Sequence, residues 1–186
     1  MKPQRPSFAN SQAIALKKRR EFTGYPELAA YTEIDRDTWL TPRYLLDRLG
    51  MFDLDPCAAT AQPYWVAAKS FTVDIDGLKQ EWAGRVFCNP PYSNTPPWVE
   101  KQAAYGLGIM LIPAAVDSIH WRRFVWTKAA AVLLLHGRTR FAHPDGSITH
   151  GRPLRSCALI AWGCHDADIL RRCGIAGVFL DNWKQT

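Results

Sequence analysis

The chain has 186 residues, enough for one domain and too few to add a separately folded recognition domain to a catalytic core. Its apolar share of 47% and its eight tryptophans exclude a disordered or fibrous protein. A net charge of +6 favours a polyanionic partner, and no segment approaches the roughly 18 apolar residues that span a bilayer, so no membrane partner is expected.

In chain order, residues 1–36 read as a basic, flexible arm, in which Lys17, Lys18, Arg19 and Arg20 are candidate phosphate contacts. The arm has no apolar signal core, which points to a soluble, cytoplasmic protein. Residues 37–186 read as a single domain. Thr41 as cap and Pro42 at the first helical position predict a helix through Tyr44, Leu45, Leu46 and Leu49, ended by Gly50. Met51–Asp55 reads as a strand whose end carries Asp53 and Asp55 and which stops at Pro56. A second strand is expected over Ser70–Val73, closed by the turn at Asp74–Gly77, and a third over Arg85–Cys88. A helix follows from about Pro97 to Tyr105. Next come a strand over Gly108–Pro113, a helix around Ser118–Thr127 and a strand over Ala130–His136. This alternation predicts an α/β fold with a mostly parallel sheet covered on both faces. Cys157–Trp162 follows a long Gly-, Pro- and Arg-containing connection and is expected to be an antiparallel C-terminal strand. Within that connection Arg138, Arg140, Arg152 and Arg155 are candidate DNA contacts.

The five cysteines are an odd number without a disulfide framework. Cys157, Cys164, His165 and Cys173 match no usual zinc spacing, so no metal is expected.

The chemistry concentrates where the third strand runs into Asn89-Pro90-Pro91-Tyr92. An aromatic amine is a weak nucleophile. Two acceptors on its hydrogens draw the nitrogen towards tetrahedral geometry and raise its electron density. The Asn89 side-chain oxygen and the Pro90 carbonyl can supply that pair. Consecutive prolines stiffen the loop, and Tyr92 offers a flat face for an extruded base.

With this tetrad, the stretches Trp39-Leu-Thr-Pro42, Phe52–Ala58, Asp76-Gly-Leu78 and Trp98 make the chain similar to phage-type DNA N-6-adenine methyltransferases, the Dam-like enzymes with an Asn-Pro-Pro-Tyr loop. The likeness runs from about Thr38 to Trp162. It implies a Rossmann-like fold that uses S-adenosyl-L-methionine and methylates N6 of adenine flipped out of double-stranded DNA. It also implies a phage-encoded enzyme in the host cytoplasm, protecting DNA from restriction. By the same resemblance Thr41, Pro42, Asp53, Asp55, Pro56, Cys57 and Asp76 are expected to bind the methyl donor, and Asn89, Pro90, Pro91 and Tyr92 to be catalytic. No Gly-x-Gly stands at the donor turn, and the stretch from Asp55 to Asn89 is short. A strand and helix of the usual methyltransferase sheet are therefore expected to be missing or shortened. The same tetrad also serves methyltransferases of protein glutamine and of RNA, and a non-catalytic DNA-binding protein is a further alternative.

Overall fold

The computed structural model describes residues 38–142 and 156–183. Helix α1 (Arg43–Leu49) is followed by β1 (Phe52–Asp55), β2 (Ala67–Ser70), β3 (Phe87–Cys88), α2 (Thr95–Tyr105) and β4 (Gly108–Pro113). A π-helical turn (Trp121–Val125) then runs into a single α-turn, α3 (Trp126–Lys128). The chain continues through β5 (Ala131–Leu135), β6 (Cys157–Trp162), α4 (Cys164–Arg172) and β7 (Gly177–Leu180).

Five strands form one sheet in the order β3-β4-β6-β5-β7, and β1 pairs with β2 beside it. A parallel bridge between Leu54 and Val86, with the Asp53 and Leu54 amides donating to the Arg85 carbonyl, links β1 to the approach to β3. The mostly parallel sheet expected from the sequence extends only from β2 to β4. Strand β6 is antiparallel to both β4 and β5, and β7 is antiparallel to β5, so the sheet is mixed. Because α4 carries the chain from β6 over to β7, those two strands share a direction, as a crossover helix requires.

Strands β4 and β6 are buried along their whole length, which explains their unbroken apolar runs: both faces are covered. On one face Met110, Ile112 and Ile160 meet Trp98 and Val99 of α2 together with Trp121 and Val125. On the other, Ile109, Leu111 and Leu159 meet Leu45, Leu46 and Leu49 of α1 and Leu170 of α4. This alternation is the two-residue period of a strand. Helix α2 ends at Gly106 in the left-handed region (φ 84°), where its N–H donates to the Gln102 carbonyl.

Several boundaries differ from expectation. Pro42 itself is the N-cap of α1, with no side-chain cap, while Thr41 is buried just before it. The second strand lies at Ala67–Ser70 rather than Ser70–Val73, while the helix expected around Ser118–Thr127 is present as one helical run over residues 119–128 with a π-helical stretch at Trp121–Val125. Helix α4 and β7 have no counterpart in the sequence reading.

Candidate active site

Asn89 stands immediately after β3, at the edge of the sheet where β1 also ends in Asp55. A cleft at this edge is lined by Trp39, Leu40, Thr41, Asp55, Cys57, Gln62, Tyr64 and Asn89. Ligands of open α/β sheets bind outside the carboxyl ends of strands, and this cleft occupies such a position.

The Asn89 carboxamide is oriented by one bond: its Nδ2 donates to the Trp39 carbonyl at 3.1 Å. Only the nitrogen of an amide can donate, so the bond fixes which end is which. Oδ1 is buried and has no hydrogen-bond partner among the described residues. Leaving a buried acceptor unpaired costs about 1–3 kcal/mol, a cost that a ligand N–H arriving in the cleft would remove. Around it, the Asn89 carbonyl accepts from the Cys57 thiol at 3.3 Å, and the Pro91 carbonyl accepts from the Asn94 amide and the Thr95 hydroxyl. Neither arrangement engages the Pro90 carbonyl.

Asp55 is almost fully buried, and burial pushes its carboxyl up to about 7, against the partly compensating bond from the Cys57 amide at 3.1 Å. Cys57 also meets Cys88, with the two sulfurs 3.5 Å apart, and burial raises both thiols. The pair is therefore kept protonated, and the Cys57 thiol can donate to the Asn89 carbonyl in the loop after β3. The floor of the cleft thus ties the turn after β1 to the loop after β3.

Of the residues expected at the donor site, Thr41, Asp55 and Cys57 line the cleft. Pro42 and Pro56 adjoin these lining residues without facing the cleft themselves. Asp53 does not join them: its Oδ2 accepts the Arg85 amide at 2.6 Å and holds the turn before β3. Asp76 does not line the cleft either. It sits at φ 53°, paired with Lys79 at 2.9 Å, and its bond to Lys79 lowers its pKa. Its neighbour Gly77 nevertheless packs directly on the donor turn, because a Cβ there would overlap the Pro56 carbonyl oxygen. Tyr92 lies outside the cleft, its hydroxyl 3.5 Å from the Cys157 sulfur and its ring edge-on to Phe141 at 5.7 Å. Arg138 and Arg140 are exposed in the segment that leads to Phe141. Ala142 then bridges to Leu40 in the cleft wall. Lys17, Lys18, Arg19, Arg20, Arg152 and Arg155 lie outside the described residues.

Sequence reasoning missed Gln62 and Tyr64. The Tyr64 hydroxyl donates to the Thr41 carbonyl at 2.6 Å, and Gln62 brings a second buried, unpartnered amide atom to the cleft. The alternation of Gln62, Tyr64 and Val66, all lining residues, was the available signal. The described residues contain no cluster of metal-ligating side chains and no helix long and apolar enough to cross a membrane.

No curated protein matches the chain. The family model described as DNA N-6-adenine-methyltransferase (Dam) matches residues 29–161, well over half of the 186, and spans the cleft, the Asn89 loop and the Arg138–Phe141 segment. The chain therefore belongs to the DNA N-6-adenine-methyltransferase (Dam) family.

Proposed function

We propose that the chain transfers a methyl group from S-adenosyl-L-methionine to N6 of an adenine flipped out of double-stranded DNA. The observation that carries this reading is the Asn89 side chain: its nitrogen is tethered to Trp39, its buried oxygen lacks a partner among the described residues, and the residue lines the cleft. One amino hydrogen of adenine would bond to that oxygen and the other to the Pro90 carbonyl, which lifts the lone pair out of the ring system. Methyl transfer to the base nitrogen then needs no strong general base, since the methylated nitrogen is acidic and sheds its proton to water after the methyl has arrived.

The cleft residues fit a zwitterionic, cationic donor. Asp55 is a buried carboxyl without a cationic partner among the described residues, suited to the methionine ammonium, and Thr41 and Cys57 line the cleft beside it. When bound, the sulfonium supplies the electrophilic methyl; every other element of the reaction falls to the chain's own groups. Gly77 keeps the Asp76 turn pressed on Pro56, which supports Asp76 as a contact to the adenosine portion. The absence of any helix between Ser70 and Phe87 supports a Rossmann-like methyltransferase sheet shortened on that side. Tyr92 would stack on the flipped base after leaving Phe141. Arg138 and Arg140, with Arg152, Arg155, Lys17, Lys18, Arg19 and Arg20, are proposed phosphate contacts. A phage origin and protection of phage DNA from restriction complete the reading.

Radiolabelled methyl transfer offered to duplex DNA, RNA and glutamine-bearing protein tests the choice of substrate. Label is expected in DNA and released as N6-methyladenine on digestion. Label confined to protein or RNA would overturn the reading.

A further inference from the structure

A second concavity opens on the same edge of the sheet and takes no part in the chemistry described above. Where β5 ends, a recess forms between the turn that follows it, the first turn of α1 and the approach to β7. Leu45, Leu135 and Ile175 give it an apolar floor, while Tyr44, His136 and Arg138 form its rim. The rim is open: Tyr44 is 56% exposed, and His136 and Arg138 are exposed. It is also built, because the His136 amide donates to the Ala176 carbonyl at 3.0 Å and fixes the turn against the β7 approach. A flat aromatic ring over an apolar floor, beside a guanidinium, is the combination that takes up a nucleobase and its phosphate.

The topology sets the distance from this recess to the catalytic loop. Strand β3 is parallel to β4, and β4 and β5 are both antiparallel to β6, so β3 and β5 deliver their carboxyl ends to one edge. Three strand steps separate them, about 14 Å at about 4.8 Å per step. One DNA strand advances about 3.4 Å per nucleotide, so the recess lies about four nucleotides from a base held at Asn89. It lies on the same side of the sheet as Tyr92 and Phe141, which pack against the cluster containing Leu45, Leu135 and Ile175. The Arg138–Phe141 segment joins the two places directly.

Building on the adenine-methylating reading, we propose that this recess receives a nucleotide flanking the target adenine, within about four positions of it, and helps select the methylated sequence. Tyr44 stacks on the flanking base and Arg138 meets its phosphate.

The test expresses the full-length wild type, Tyr44→Ala, Tyr44→Phe and His136→Ala in a host free of adenine methylation and sequences the methylated adenines with their contexts. Donor affinity, measured by calorimetry, reports that each variant is folded. Tyr44→Ala is expected to lose about ten-fold of the preference at one flanking position within four nucleotides, whereas Tyr44→Phe, which keeps the ring, retains it. His136→Ala is expected to relax the same position, and it carries the test should Tyr44→Ala fail to fold. Wild-type contexts in both alanine variants, or equal relaxation in Tyr44→Ala and Tyr44→Phe, would overturn the recess proposal alone. A wild-type chain that methylates no adenine would overturn the functional reading, and the recess proposal with it.

Discussion

Asp55 sits at the carboxyl end of β1 almost without solvent, and its pKa of about 7 comes from that burial. An unfolded aspartate ionises near 3.9, so between about pH 4 and pH 7 the folded chain holds a proton that the unfolded chain has lost. Stability must then fall as pH rises through this window and level off above it. Replacing the group by a neutral isostere removes the penalty. Asp55→Asn is therefore expected to be as stable as the wild type below about pH 4 and more stable at pH 8, by an amount on the order of a few kcal/mol. Urea unfolding at both pH values measures the difference, and an advantage already present at low pH would contradict the burial argument. The turn after β1 is legible in sequence as a strand end rich in carboxylates, yet the sequence cannot divide Asp53 from Asp55. That division is made by Arg85 and Gly84, which reach Asp53 from across the chain. Trp39 is invisible for a different reason: it acts through its backbone carbonyl, which leaves no side-chain signature.

At the scale of elements, the end of the sheet where β3 and β4 begin is held by a pairing that links the approach to β3 to α4. Arg85 Nε meets the buried Asp166 at 2.6 Å, and the second Asp166 oxygen accepts the Gly108 amide at 3.0 Å. The guanidinium also donates to the Met51 carbonyl at 2.7 Å and lies over the Phe52 ring. Removing the carboxylate would leave a largely buried cation and a buried N–H without this partner. Asp166→Ala is accordingly expected to cost about 3 kcal/mol of stability, read from the shift in denaturation midpoint. A loss within experimental error would mean that the Met51 carbonyl alone satisfies Arg85. Strands β4, β5 and β6 were legible because burial on both faces produces continuous apolar runs, and β1 because Phe52 and Leu54 alternate with aspartates. Helix α4 was not legible. Its sequence, Cys164–Arg172, is mostly polar, and only Leu170 and Asp166 are buried, with Ala167 and Ile169 half-buried beside them. The Trp121–Val125 turn read as an ordinary helix, since periodicity over so few residues does not distinguish a π-turn from an α-helix.

At the scale of the described fold, β1, β3 and β5 deliver the Asp55–Cys57 turn, the Asn89 loop and the recess of Tyr44 to one edge of the sheet. The order of these strands was beyond the sequence, because β6 enters between β4 and β5 from a distant part of the chain. The Asn89–Tyr92 loop was legible in the sequence, since a strand ending in Asn-Pro-Pro-Tyr is a short-range pattern. The structure adds that Asn89 Oδ1 has no partner among the described residues. The most direct test is the single-turnover rate of methyl transfer to duplex DNA by Asn89→Ala, measured beside its affinity for the donor. The account predicts a rate at least about 100-fold below wild type, with donor affinity changed only a few-fold, because the lost bond forms with the adenine amine and strengthens in the transition state. Transfer at the wild-type rate in Asn89→Ala would contradict it.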